Sequence, residues 1–305
     1  MSRVETGWRA FLHRRERDLL DLLARRAATW DPDRRRRASR LVAALARDLL
    51  RLRWSHVVAT LQARLGLDGV AARVLGRRVY DAFFENALEQ ATLAYLAGEE
   101  IDARVAVEGL ERLQKAHARG KGVVLVSGHY GLWEFVTAWL VRHGYQMTAV
   151  MRRQNNVAID AWMESMRRTH GVEITDSGYA LRDILRTLRK GHLLGLVSDQ
   201  DAGDKGVFVR FFGELASTVG GPATIALKTG APLMAVAMHP GRPHPPHRFE
   251  ICEPWYPEDF SDDEAGRQAL TQAFTTQLET WIRARPEQWF WLHRRWKTRP
   301  PPVNG

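Results

Sequence analysis

The chain has 305 residues, 45% of them hydrophobic and 26% charged, and a formal net charge of +10 at pH 7. That is long for one domain, but large α/β sheets often run past the usual size as a single unit, and there is ample sequence for a core. A disulfide-built fold is excluded because Cys252 stands alone, which fits a reducing compartment. No apolar h-region of a signal peptide is seen, and the most apolar early stretch, 41–50, is broken by Arg47 and Asp48, well short of the roughly 20 residues of a membrane span.

The positive charge is concentrated at the front. Residues 1–53 hold fifteen Arg against seven Asp plus Glu, and 34–37 is an unbroken basic block. Leu41, Leu45, Leu49 and Leu52 then form one apolar stripe with arginines around it. A basic amphipathic helix of this kind can lie on an anionic lipid surface, where each basic residue contributes about 1 kcal/mol. It can equally be a solvated helix whose stripe packs on the domain. Residues 1–66 therefore read as a basic, amphipathic helical region, and 67–305 as an α/β domain.

From 67 to 119 the pattern is helical throughout. Phe83, Ala87, Ala91 and Ala94 keep helical spacing, the tract Leu96, Ala97, Gly98 supplies an ending, and a second helical segment covers 105–117. Then the pattern changes. The β-branched apolar run 123–126, bounded by glycines, has the length and composition of a buried parallel strand. Strands are expected at 146–151, 172–175, 193–198, 232–238 and 249–252, alternating with helices opening at Gly131 and covering 157–169, 179–190, 221–229 and 262–285. Such alternation predicts a mostly parallel central sheet flanked by helices. No internal repeat or low-complexity linker divides the chain.

The chemistry gathers at Ser127, Gly128 and His129, where the central strand stops. His129 is thereby placed at the carboxyl end of a strand beside a helix N-terminus, which is where open α/β sheets bind ligands. Glu134 follows five residues later, and a helix beginning at Gly131 would turn its carboxylate back toward the imidazole. Neutral imidazole, with an ordinary pKa of roughly 6.5, takes a proton from a hydroxyl at neutral pH, and a carboxylate on its other nitrogen fixes the tautomer and stabilises the imidazolium. The pair predicts proton removal from an alcohol, although His and Glu at this spacing also occur by chance.

The tract GHYGLWE resembles the H-x4-[D/E] signature of glycerolipid and lipid A acyltransferases, and more narrowly the GHFGNWE version of the bacterial lipid A lauroyl and myristoyl acyltransferases. Two further tracts are similar to the same family: DQDAGDKGVFVRFFGELASTVGGPATIALKTGAP, 199–232, and PEQWFWLHRRWKTRP, 286–300. Weaker similarity starts near His56 and runs through Glu89 and VEGLERLQKAHARGKG, so the likeness spans roughly four fifths of the chain. Leu132 departs from the pattern, where the family commonly has Asn. The front end is a second departure: the family usually carries an N-terminal membrane helix, and none is expected from residues 1–66.

The resemblance implies a glycerolipid-acyltransferase-like fold and acyl transfer from a thioester, acyl carrier protein or acyl-CoA, to a hydroxyl of a membrane glycolipid. A lipid A precursor is the first acceptor to consider, with a phospholipid or phosphatidylinositol mannoside as the alternative. His129 is then the base and Glu134 its orienter, with no acyl-enzyme. Arg152, Arg153 and Arg168, with Arg167 beside it, offer donors for phosphate, though a solvated helix face explains any one of them equally well, and Asp199, Gln200 and Asp201 stand past a strand on the same edge as His129, where they could shape the acceptor pocket or form a polar turn with an Asp cap. Arg294 and Arg295 complete the expected substrate contacts; the alternation of Trp289, Trp291 and Trp296 with Arg294, Arg295 and Lys297 reads first as core packing with a basic edge, and would also suit an interfacial belt. No cofactor is expected. Nor is a metal, because His239, His244 and His247 lie in a Pro-rich loop without HExxH or paired Cys. The expected location is peripheral, on the cytoplasmic face of the inner membrane.

Other classes remain open at this level. Ser127 lies in LVSGH, not in the G-x-S-x-G elbow of a serine hydrolase. The basic charge permits nucleic-acid binding, but no recognised nucleic-acid motif is present. A non-catalytic, basic membrane-binding adaptor would use the arginine-rich front end and leave His129 and Glu134 without a task.

Overall fold

The computed structural model describes residues 7–151, 153–154, 156–176, 181–242 and 244–301. Helices α1 (Gly7–Ala28), α2 (Pro32–Ala44) and α3 (Trp54–Leu65) precede the long α4 (Gly69–Thr92), and a π-helical turn at Leu45–Leu49 prolongs α2. Local chemistry sets the starts. Asp31 accepts the Arg34 N–H ahead of α2, with Pro32 as its first residue, and Asp68 accepts from Val70 and Ala71 ahead of α4. These caps satisfy amide donors that have no partner inside the helix.

The chain then runs α5 (Gly98–Arg104), β1 (Val105–Glu108), α6 (Leu110–His117), β2 (Val123–Ser127), α7 (Trp133–Arg142), β3 (Met147–Met151), α8 (Val157–Thr169), β4 (Glu173–Asp176), α9 (Leu181–Arg189) and β5 (Leu193–Val197). It continues with β6 (Val207–Phe211), β7 (Glu214–Thr218), α10 (Gly221–Thr229), β8 (Leu233–His239), β9 (His247–Ile251) and α11 (Glu264–Ala284). The main sheet has seven strands in the order β1-β9-β8-β2-β5-β3-β4. Neighbours are parallel except for β8 and β9, and β1 runs with β9. Strands β6 and β7 form a separate antiparallel hairpin.

The sheet and most helices fall where hydrophobic period and turn residues placed them, but two segments do not. Residues 105–108, expected as helix, form the edge strand β1. The sequence VAVE is short, alternates in burial and pairs with β9, so a sheet neighbour overrides a weak local helical pattern. The hairpin β6–β7 had no strand expected over it, and helix α7 starts at Trp133, two residues later than expected. Part of the helix expected at 179–190 lies outside the described residues.

Burial follows the pleat. Val123 and Leu125 of β2 face one side and pack with Phe135, Trp139 and Leu140 of α7, while Val124 and Val126 face the other with Phe274, Leu278 and Trp281 of α11. A strand covered on both faces reads as a continuous apolar run. Ala43, Ala46, Val57 and Leu61 from the front of the chain join the α11-side core.

The expected Leu stripe does not pack on the domain. Leu41, Leu45, Leu49 and Leu52 are exposed, Leu49 to 74%, and α1 exposes Trp8, Phe11, Leu12, Leu19, Leu22 and Leu23 as well. Within the basic block, Arg35 turns inward: it is 6% exposed and pairs with Glu89 at 2.9 Å. Among the described residues no helix is long and apolar enough to cross a membrane.

Candidate active site

The site is assembled by strand register. In the β2–β5 pairing Ser127 stands opposite Val197, and the Ser198 N–H continues the ladder to the Ser127 carbonyl at 3.0 Å. The residues two positions beyond that pair, His129 and Asp199, emerge side by side at the carboxyl end of the parallel strands. Glycines make the approach possible. A Cβ on Gly128 would stand 2.9 Å from Leu278 and 3.1 Å from Asp199 Oδ2. Gly131 has φ of +60° and lies against the Met238 carbonyl, which a Cβ would meet at 2.0 Å; only glycine adopts that turn into α7 without strain.

Asp199 is the carboxylate that holds His129. Its Oδ1 lies 2.7 Å from His129 Nδ1, and its Oδ2 accepts the His129 backbone N–H at 2.8 Å and the Trp289 indole N–H at 2.8 Å. An ionised carboxylate only accepts, so the ring proton is assigned to Nδ1 and the lone pair to Nε2. The His129 side chain is 28% exposed. Its ring lies against Trp133, at 5.2 Å between centroids, and Phe290, at 6.2 Å, and Phe83 stacks on Phe290, giving the cleft an aromatic wall.

The electrostatics agree with this geometry. Burial disfavours the imidazolium, but the charge and hydrogen bond of Asp199, with a smaller contribution from Glu134, outweigh it and leave the His129 pKa above its ordinary value. Burial likewise opposes ionisation of Asp199, yet His129 and the hydrogen bonds from His129 and Trp289 hold its pKa below the usual carboxylate range. The site therefore keeps an ionised carboxylate against a base.

The expectation that Glu134 orients His129 is corrected. Glu134 sits in the first turn of α7, buried, and its two oxygens are taken by Arg167 of α8 at 2.5 and 2.8 Å and by the Trp133 indole at 3.0 Å. Its backbone N–H donates to Gln90 at 3.1 Å. Because the helix starts at Trp133 rather than Gly131, the carboxylate points behind the corner, toward Arg167, and not across it. Arg167 is buried with it and is not displayed for phosphate.

The other expected contacts scatter. Gln200 lies at the mouth, its Nε2 3.4 Å from His129 Nε2, a long separation for a hydrogen bond. Asp201 instead ties down the C-terminal segment: it accepts from the Thr298 N–H and hydroxyl at 3.2 and 2.9 Å, and its own N–H donates to His293 Nε2 at 3.0 Å. Arg153 bonds Asp160 and Glu164, and Arg168 bonds Glu164, on the outer face of α8; Arg152 lies outside the described residues. Arg294 is exposed in a groove of about 280 Å³ with His56, Thr60, Arg64, Trp296 and Lys297. Arg295 is corrected as a surface contact: it is 1% exposed and donates to the Ser217 carbonyl and the Thr218 hydroxyl.

Trp289 and His293 were missed as members of the site. Both come from an irregular segment with no period to read, and only their place within a Trp- and Arg-rich tract could have marked them. His239 and His247 serve the scaffold, His239 between Tyr130 at 3.0 Å and Glu250 at 2.9 Å, and His247 accepting the Gly241 N–H.

Residues 21–298 match the family model described as bacterial lipid A biosynthesis acyltransferase. The chain is 30% identical over 196 residues to the lipid A biosynthesis palmitoleoyltransferase of Escherichia coli K12, covering 64% of this chain and 62% of that protein. It is also 30% identical over 200 residues to the phosphatidylinositol mannoside acyltransferase of Mycobacterium tuberculosis CDC 1551, covering 62% and 59%. The matched region thus spans about three fifths of the length of these relatives. Among solved structures, the 1-acyl-sn-glycerophosphate acyltransferase PlsC of Thermotoga maritima aligns with 84% of this chain and 99% of its own at 19% identity and a TM-score of 0.39. With the family model matching nearly from end to end, the chain belongs to the bacterial lipid A biosynthesis acyltransferase family.

Proposed function

We propose that this protein moves a fatty acyl group from a thioester, on acyl carrier protein or coenzyme A, to a hydroxyl of a membrane glycolipid, with a lipid A precursor as acceptor. The observation that carries the reading is the His129–Asp199 pair at the strand ends, with Nδ1 held by the carboxylate and the ring lying against Trp133 and Phe290. In this reading Nε2 takes the acceptor's hydroxyl proton while the oxygen attacks the thioester carbonyl carbon. The tetrahedral intermediate collapses by breaking the carbon–sulfur bond, and the imidazolium gives the proton to the departing thiolate. Asp199 holds the tautomer and stabilises the imidazolium. Glu134 acts from behind, by locking the start of α7 to α8. The acceptor class has a second candidate, a phosphatidylinositol mannoside, supported by the equal 30% identity to the mycobacterial relative.

The test is transfer by the purified protein from acyl carrier protein and acyl-CoA donors to each acceptor class, read by mass spectrometry. His129→Ala is expected to lose at least about 10² to 10⁴ in rate with its fold intact. Normal turnover in that variant, or a trapped covalent acyl-enzyme, removes the mechanism.

The acceptor stays in a bilayer, so the same reading has the protein dock peripherally, on the cytoplasmic face of the inner membrane. Support comes from exposed Trp8, Phe11, Leu12, Leu41, Leu45 and Leu49 standing among exposed Arg9, Arg14, Arg15, Arg34 and Arg37. Trp54, half-buried against Tyr80 at 5.8 Å, belongs to the domain side and not to this face. Flotation with anionic and neutral vesicles tests it. Binding should weaken as salt shortens the Debye length from about 10 Å at 0.1 M to about 3 Å at 1 M, and further on changing Arg34, Arg37 and Arg51 to Gln, with Arg35 left in place for Glu89. Equal flotation of both chains on both lipids would place attachment elsewhere.

A further inference from the structure

Behind the candidate active site lies a buried charge that the reaction as described does not use. Arg295 is 1% exposed, and its guanidinium is held by neutral acceptors, the Ser217 carbonyl and the Thr218 hydroxyl, with its central carbon 5.3 Å from the centre of the Phe211 ring. Among the described residues no carboxylate forms an ion pair with it, and its Nε meets no hydrogen-bond partner. A cation buried this deeply is costly unless an anion compensates it. Asp199 and Asp201 are the anions whose fields reach it.

Geometry directs that compensation at Asp199. Arg295, Asp199, Ser198 and Ser127 line one small cavity of about 10 Å³ beneath the ends of β2 and β5. The Ser198 hydroxyl, like Arg295 Nε, has no partner among the described residues. His129, which Asp199 Oδ1 meets at 2.7 Å, does not line this cavity, so Asp199 is the group that touches both the imidazole and the space Arg295 lines.

We infer that Arg295 is a positioning residue: resting on the proposed function, its buried charge keeps Asp199 ionised and limits how tightly the His129–Asp199 pair holds a proton. The groups that share this field are Glu134, which acts on His129, and Asp201 and His293, which face Asp199 and Arg295. His293 cannot take over the task, because burial pushes its pKa down and its Nε2 already accepts the Asp201 N–H. The sign is fixed by charge. Removing a cation makes the pair more negative and more basic, so the His129 pKa must rise.

The experiment is an NMR titration of the His129 ring in histidine-labelled protein, assigned with His129→Asn, which reads the pKa without any assay of transfer. Arg295→Gln is expected to raise the His129 pKa by roughly half a unit to one unit, equivalent to about a three- to tenfold change in proton affinity. Arg295→Lys, which keeps the charge and loses the fork, and Thr218→Val, which removes the hydroxyl's bonds to Arg295 and to the Ala216 carbonyl and leaves the charge, should stay within about 0.3 unit. The kcat/KM profile should move in parallel while KM holds. An unmoved pKa in folded Arg295→Gln overturns the inference, as does a Lys variant that moves as far as Gln. Should Arg295→Gln fail to fold, Arg295→Met, which also removes the charge and keeps an apolar stem beside Phe211, takes its place: a raised His129 pKa supports the electrostatic role and an unmoved one refutes it. Activity surviving in His129→Ala would instead sink the proposed function, so the two failures are distinct.

Discussion

Two carboxylates stand near His129, and their surroundings give them different work. Asp199 follows β5 and meets the imidazole directly; Glu134 begins α7 and meets an arginine. Both are buried. The difference is the partner: Asp199 faces an imidazole, which can change its charge near neutral pH, while Glu134 is matched two-to-two with a guanidinium whose charge does not change. A position in a sequence motif thus does not fix which acid orients the base. The strand register does.

The largest effect that tests this comparison is expected from Asp199→Asn. The amide can offer an N–H to Nδ1, imposing the tautomer with the proton on Nε2, where the base is needed. A fall of about 10² to 10⁴ in kcat is expected, with little change in KM, as measured by steady-state transfer. Glu134→Gln should fall much less in rate, about tenfold, but should cost stability. Removing one partner of a buried ion pair commonly costs about 3 to 5 kcal/mol, which denaturant unfolding would register. Replacing both partners, Glu134→Leu with Arg167→Met, should recover most of that loss. If Glu134→Gln equals Asp199→Asn in kcat while remaining stable, the roles assigned to the two acids are reversed.

Sequence carried the frame of this site further than its detail. The run 123–126 marked the central strand because apolar residues on both faces of a parallel strand leave a continuous signal. His129 was legible at its end for the same reason. Asp199 was legible as a strand-end residue, but its partner was not, because β5 lies beside β2 only through a crossover that inserts it between β2 and β3. Period and turn chemistry report local structure and say nothing of strand order. Glu134 misled because a helix begun two residues earlier would have aimed it elsewhere. Arg295 misled because a basic tract reads as surface, and only the hairpin β6–β7, itself unread, offers the carbonyl and hydroxyl that bury it.

An intermediate effect is expected in the pH profile. A general base works when neutral, and the His129 pKa is raised by Asp199 above the ordinary value, so kcat/KM should rise with pH along a limb lying above about 6.5. Asp199, whose pKa is depressed, stays ionised across that range and adds no limb there. In Glu134→Gln the limb should move slightly down, because the carboxylate that also favours the imidazolium has been neutralised. A limb at or below the ordinary histidine value in the native protein would mean that Asp199 does not favour the imidazolium during turnover.

The smallest effect concerns Trp289, which supplies the third hydrogen bond to Asp199 and belongs to neither carboxylate's charge pair. Its indole N–H reaches Oδ2 at 2.8 Å, and its ring packs on Phe211 at 5.4 Å and Trp291 at 4.8 Å. Trp289→Phe keeps most of the aromatic contact and removes the donor. Oδ1 still holds Nδ1, and Oδ2 still accepts the His129 backbone N–H, so the imidazole should keep its orientation. The carboxylate, with one donor fewer, becomes more basic and favours the imidazolium more, and the limb should move up by less than about half a unit. The loss in kcat/KM should be small at pH 8 and grow as pH falls through the shifted limb, to no more than about threefold. A hydrogen bond to a charged group is worth about 1.5 to 3 kcal/mol, so thermal unfolding should record a modest drop alongside. A loss as large as that of Asp199→Asn, constant across pH, would show that the indole contacts substrate rather than tuning the carboxylate behind the base.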